Sequence, residues 1–595
     1  MSAVVEKAVH SGLGAMPYAS GVAFRVWAPF ASSVSVVGTF NDWKPTANRC
    51  QKDEHGNWYA DVSQAKAGDE YKFIIANGDK HFSRIDPRAR QVTNSVGNAV
   101  IADPNFNWGD DNFSMHPWNQ CVIYEMHIGT FNAKDGVGTF DSAIERLPYL
   151  RDLGINAVEL MPLAEFAGDY SWGYNPAHPY AIETAYGGPD GLKRFICQAH
   201  KLGIAVIIDV VYNHFGPSDL DLWQFDGWSQ NGRGGIYFYN DHRASTPWGD
   251  TRPDYGRNEV RQYIHDNAMM WLEEYHADGL RYDMTLYMRS IDGNESNVIE
   301  DGFSLAQWIN VEIGNRFPGK ITIAEDLRDN NRLTQVAEFG GANFSSQWDA
   351  KFVHPIRRVI TEIDDKNRSM DEVRDAILHK YNIDVFERVI YTESHDEVAN
   401  GKQRVVSEID SNEKLGRYAI KRSTLGAALV MTAPGIPMLL QAQEFLQDKW
   451  FDDGHPINWA RCEQYRGIVA MYSDLISLRL NRNSNSAGLS GQHVDVYHLD
   501  PNEKVIAFKR WKEGGPGDMV VVVMNFAEGE VKDYRIGFPA PGQWHLRFNS
   551  DSRKYNELLD EIPSWSVEAN GEAYDGQPHS AAFNVAAYSC QIFSQ

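Results

Sequence analysis

Two hydrophobic rhythms divide the chain. From about Gly21 to Val100, apolar and polar residues alternate in short runs separated by turns, as in Val22–Trp27, Val34–Phe40 and Tyr71–Ile75. A period of two marks strands with one buried face, and this spacing predicts a small all-β sandwich. From Cys121 to about Asn481 the texture changes to short continuous apolar runs, the composition of strands covered on both faces, separated by stretches of helical spacing. The runs predict strands at Cys121–His127, Ala157–Pro162, Ala205–Val211, Gly279–Asp283, Ile321–Glu325, Ser346–Ala350, Val389–Thr392 and Pro437–Gln441. Helical patterns at Pro189–Leu202 and Arg257–Tyr275 precede the third and fourth. Strands alternating with helices over this length predict a (β/α)8 TIM barrel, with functional residues at the C-terminal strand ends. Alternation returns near Gln492, as in Val505–Phe508 and Met519–Val523, and predicts a second β-sandwich.

The expected fold class is therefore multidomain α/β. An N-terminal β-sandwich is expected over 1–112, the barrel over 113–485 and a C-terminal β-sandwich over 486–595. The segment 214–257 exceeds an ordinary βα loop, so a long functional loop or small subdomain is expected there. Asp103–Pro117, rich in Asn, Asp and Trp, reads as a linker.

Four of the barrel runs end in acidic segments: Asp209–His214, Gly279–Asp283, Ala324–Asp326 and Ser394–Glu397. An apolar core does not choose a carboxylate, because an unpaired buried charge is costly. Taken singly, an Asp after a strand is more often a helix cap or turn residue. Arg281 alone would be an ordinary ion-pair partner, and His214, His395 and Tyr174 alone would be structural. Four such segments in order, each at a strand end, point instead to charges converging on something polar.

Charge and composition narrow what that could be. A net charge of −24 argues against nucleic acid or an anionic membrane as the main partner. The 17 Trp, 27 Tyr and 28 Phe suit a carbohydrate, whose apolar faces stack on flat rings, although most aromatics in any chain are core. Five cysteines without metal-like spacing suggest neither a disulfide framework nor a zinc site. Met1–Lys7 lacks a basic and then apolar leader, and no apolar stretch spans a bilayer, so a cytoplasmic location is expected. No metal or other cofactor is expected: Asn213 reads as a loop-capping amide, and Gly187–Gly191 is a turn into a helix without the P-loop ending.

The ordered segments resemble those of the α-amylase family, retaining glycosidases and transglycosidases acting on α-glucans. Gly38-Thr39-Phe40-Asn41-Asp42-Trp43 likewise resembles a family 48 carbohydrate-binding module. The resemblance implies that Asp283 is the nucleophile, Glu325 the general acid/base and Asp396 the third carboxylate, which favours the oxocarbenium-like transition state. It implies that Asp209, His214 and His395 hold the reacting sugar, with Tyr174 stacked beneath it. Arg281, two residues before Asp283 and on the same face of the strand, would keep the nucleophile ionised. Glu325 needs a less solvated setting that raises its pKa.

Within the family, Trp248-Gly249, Tyr255–Arg261, Trp271-Leu272, Ser394–Val398 and Glu444-Phe445 resemble glycogen branching enzymes. The expected activity is cleavage of α-1,4 bonds and transfer of the chain to a 6-hydroxyl of amylose, amylopectin or glycogen. The run Asp283-Met284-Thr285-Leu286-Tyr287-Met288 departs from the small residue usual after the nucleophile. Thr246–Gly249 and Tyr124–Phe131 also resemble malto-oligosyltrehalose trehalohydrolases, so a hydrolase is the alternative, and a non-catalytic glucan-binding protein the remote one. A monomer or weak oligomer is expected. Trp43 is open to two readings, a glucan-stacking ring or sandwich core.

Overall fold

Eight parallel strands close into a barrel in the computed structural model, which describes residues 12–413 and 415–595. The expectation for Met1–Lys7 lies outside the described residues. The strands are β1 (Ile123–Met126), β2 (Ala157–Leu160), β3 (Ala205–Val210), β4 (Gly279–Tyr282), β5 (Ile321–Ala324), β6 (Ser346–Trp348), β7 (Arg388–Ile390) and β8 (Ile436–Leu440). β8 pairs back on β1, with Met438 opposite Ile123. Every residue of β1 to β8 is buried, because helices cover the outside and side chains fill the inside. The helix before β3 runs from Gly188 to Lys201 and the helix before β4 from Asn258 to Glu273.

The parallel register sets the height of each functional residue. Asp209 of β3 lies opposite Arg281 of β4, and Tyr282 lies opposite Ala324 of β5. The ladder continues one step beyond the strands. Asp283 N donates to the Val210 carbonyl at 3.0 Å and Glu325 N donates to the Tyr282 carbonyl at 3.0 Å. Both carboxylates are therefore held by main-chain hydrogen bonds at the barrel rim.

Two sheets form the N-terminal domain, one built round Gly21–Trp27 and Asn57–Val62, the other round Ser33–Gly38 and Glu70–Asn77. The predicted strand Val34–Phe40 is shorter than expected. It stops at Gly38, and Thr39–Asn41 turn into a 3-10 helix, where Asn41 Oδ1 accepts from Gly38 N at 2.9 Å. Trp43 lies just past that turn and is 38% exposed, outside the sandwich core. At the other end, a six-stranded sheet including Val505–Trp511 and Val520–Asn525 packs with the pair Val531–Phe538 and His579–Val585 as an all-β domain.

The segment 103–117 contains no helix or strand, but it is strapped to the barrel rather than loose. Trp108 stacks on His276 with centroids 3.8 Å apart, and Phe113 stacks on His200 at 4.4 Å. Asp111 pairs with His200 at 2.9 Å and with His276 at 3.1 Å. No helix among the described residues is long and apolar enough to cross a membrane.

Candidate active site

Arg281 is the hub of the charges at the barrel rim. The side chain is fully buried and its Nη1 donates to Asp209 Oδ2 at 2.6 Å and to Asp283 Oδ1 at 3.3 Å. Its Nη2 lies 2.7 Å from Glu325 Oε2. One guanidinium thus gathers carboxylates from the ends of three adjacent strands, and the Trp348 ring of β6 supports it at 4.2 Å from the centroid. Burial works against this cation, but Asp209 and Glu325 more than compensate, so its pKa lies well above the ordinary arginine value.

The same low-dielectric setting separates the carboxylates in acidity. Burial pushes Asp283 up to about 6, with Arg281 pulling the other way. Burial pushes Glu325 further, to about 8. At neutral pH the favoured state of the pair is therefore an ionised Asp283 beside a protonated Glu325, the division of labour that a nucleophile and a general acid need. Glu325 Oε1 has no hydrogen-bond partner among the described residues, while Oε2 accepts from Met284 N at 2.9 Å. The free oxygen can carry the proton to be delivered. Met284 takes φ +34°, an unusual conformation for a side chain of its size, and it turns the chain so that this N–H meets Glu325.

The other residues singled out in the sequence surround this cluster. Tyr174 donates its hydroxyl to Asp209 Oδ2 at 2.7 Å and its ring lies almost parallel to that of His395, 5.0 Å away. His214 donates through Nε2 to the Tyr174 carbonyl at 2.8 Å. Burial lowers the His395 pKa, but the neighbouring Glu125 and Asp396 carboxylates raise it more, to about 9, so the ring is a cation at neutral pH. Asp396 is the most open of the three carboxylates, with its side chain 33% exposed, in the first turn of the helix His395–Gly401. It lies 3.6 Å from His395 Nε2.

Two contributors escaped sequence reasoning. Glu125, within β1, is 1% exposed and accepts from His395 N at 3.0 Å as well as pairing with its Nδ1. A carboxylate inside a predicted buried strand is the same signal that exposed Asp209, but it fell mid-run rather than at the end. Asn213 has the sequence setting of a loop cap. It caps Asp283 instead, donating from Nδ2 to both Oδ2 at 2.6 Å and the carbonyl at 2.8 Å. Among the described residues no group of three or more His, Cys, Asp or Glu is arranged to hold a metal ion.

A family model described as alpha amylase, catalytic domain, matches residues 129–224. Carbohydrate-binding module 48 matches 12–89, and the alpha amylase C-terminal all-beta domain matches 497–595. A 1,4-alpha-glucan branching enzyme GlgB of Corynebacterium jeikeium is 31% identical over 611 aligned positions, covering 98% of this chain and 83% of the relative. The chain belongs to the α-amylase family. It is an enzyme that works on glucosidic bonds, by hydrolysis or by transfer. Another GlgB of this family, from Pseudoalteromonas atlantica, is 30% identical, with 89% of this chain and 76% of the relative covered. Among solved structures, a pullulanase from Anoxybacillus sp. LM18-11 complexed with maltotetraose superposes with a TM-score of 0.76 at 21% identity, covering 99% of this chain and 88% of that one.

Proposed function

We propose that the protein is a 1,4-α-glucan branching enzyme. The observation that carries this reading is the near-full-length similarity to GlgB enzymes, in a chain whose buried arginine gathers two carboxylates of opposite protonation preference. Asp283 attacks the anomeric carbon of an internal α-1,4-linked glucose while Glu325 protonates the leaving oxygen. The glucan is then held as a covalent ester on Asp283, and the free end departs. Glu325, now ionised, takes the proton from a 6-hydroxyl of an acceptor chain, whose oxygen displaces Asp283 and leaves an α-1,6 branch. Arg281 keeps Asp283 charged for attack and balances the second carboxylate as Glu325 ionises. Tyr174, Asp209, His214, His395 and Asp396 line the position of the reacting sugar, with Asp396 and the His395 cation meeting its hydroxyls.

Amylose, amylopectin and glycogen are the expected substrates and the cytoplasm the expected location. All five cysteines are free, which suits a reducing compartment. The test is a reducing-end count on amylose before and after treatment with a debranching enzyme, together with iodine colour. Branching leaves the first count constant, raises the second and fades the colour. Reducing ends that rise at once, without branches, would overturn the reading in favour of a hydrolase.

A further inference from the structure

Aromatic rings flank the carboxylates in two groups. Trp172, Tyr174 and Phe451 gather round His395. In the other group, Trp248 stacks on His214 with centroids 4.8 Å apart at 16°, and meets Tyr287 edge-on at 5.3 Å. Trp248 is 40% exposed, although two rings brace it. Asn213, which holds Asp283, is the residue immediately before His214, so this indole stands close to the reacting centre.

The placement of Tyr287 gives the second group a side. Its segment is stitched to Glu325: Met284 N donates to Oε2 at 2.9 Å, and Thr285 donates to the Glu325 carbonyl through N at 2.7 Å and Oγ1 at 3.0 Å. In a double displacement the leaving oxygen receives its proton from the acid/base, and the incoming hydroxyl returns one to the same carboxylate. The surface continuous with Glu325 therefore faces the departing and arriving chains.

We propose that Trp248, braced by His214 and Tyr287, is the platform on which the acceptor glucan stacks, and that it sets how often transfer wins over hydrolysis. This inference rests on the branching reading above. In the deciding step the bond between the anomeric carbon and Asp283 breaks, the bond to the acceptor 6-oxygen forms, and the acceptor proton passes to Glu325. Water can enter the same step with the same proton balance, so the outcome depends on acceptor occupancy. A flat indole raises that occupancy by covering the apolar face of a sugar without demanding one hydroxyl pattern.

The experiment compares wild type, Trp248→Ala, Trp248→Phe and Tyr287→Leu on amylose at several concentrations. It counts branch points, as ends revealed by debranching, and hydrolytic events, as free reducing ends before it. Trp248→Ala is expected to lower the branch-to-hydrolysis ratio about tenfold, the loss of one stacked ring. Higher amylose concentration should restore part of the ratio. Trp248→Phe should stay near wild type, and Tyr287→Leu should move the ratio the same way by a smaller factor. A wild type that branches, with Trp248→Ala losing both reactions in equal proportion, would overturn the platform alone and leave Trp248 as a prop for His214. A wild type that only hydrolyses would overturn the branching reading and the platform with it.

Discussion

The barrel and the long segment after β3, residues 211–257, reach definite shapes by opposite routes. The barrel determines itself: its strands pair with one another, and Asp209, Arg281, Asp283 and Glu325 take their heights from that register. The segment has one short regular element, the 3-10 turn His242–Ala244. Hydrogen bonds within the segment shape much of it, and the N-terminal domain grips the stretch 221–228 from outside. Arg84 donates to the carbonyls of Trp223, Gln224 and Phe225, at 3.3, 3.0 and 3.1 Å. Asp221 accepts from Ile85 N at 2.6 Å, Asp226 accepts from Phe30 N at 2.9 Å, and the Phe30 ring stacks on Trp228 at 4.6 Å. In the proposed mechanism the groups placed by the ladder carry the chemistry, whereas the segment bearing His214 and Trp248 would form a wall beside them. A wall built on borrowed contacts can be altered without touching the reacting atoms.

The largest effects should come from the ladder-placed groups. Asp283→Ala and Glu325→Gln are each expected to lower turnover at least about 10³-fold while circular dichroism and glycogen binding persist. Wild-type-like turnover in either would break the assignment of roles. The next effect is in pH. The proposed mechanism requires Asp283 ionised and Glu325 protonated, so kcat/KM should fall below about pH 6 and again above about pH 8, as macroscopic values of the pair. Arg281 lowers both pKa values, so Arg281→Met should move both limbs to higher pH and cost about 10–100-fold at neutrality, as Asp283 takes up a proton. An unchanged profile would remove Arg281 from control of the pair.

The smallest effect should come from the borrowed contacts. Arg84→Ala leaves three carbonyls without their donor, and a loss of about 1–3 kcal/mol in stability is expected. A several-fold rise in KM should accompany it, with kcat nearly unchanged and faster proteolysis within 211–257. Should kcat fall in step with the active-site variants, the division between ladder and wall would fail.

What could be read from sequence follows the same division. The barrel strands were legible within a residue or two because a run such as Ala205–Ile208 has only one comfortable setting, a strand buried on both faces. The carboxylates that the structure gathers round Arg281 were visible because they interrupt such runs. Partnerships were not visible. Glu125 meets His395 across 270 residues, and Arg84 meets its three carbonyls across 139 to 141. No local periodicity encodes such contacts. The strap 103–117 looked like a linker because its aromatic residues follow no period, yet Trp108 and Phe113 find histidine rings on the barrel.

The Arg84 clamp also has a direction in time. A ribosome adding about 5–20 residues per second makes the clamp several seconds to half a minute before the segment that it grips. The N-terminal domain can therefore be complete and waiting when residues 211–257 emerge. It can then serve the newborn barrel as an intramolecular mould for residues 221–228, a stretch with no regular element of its own to guide it.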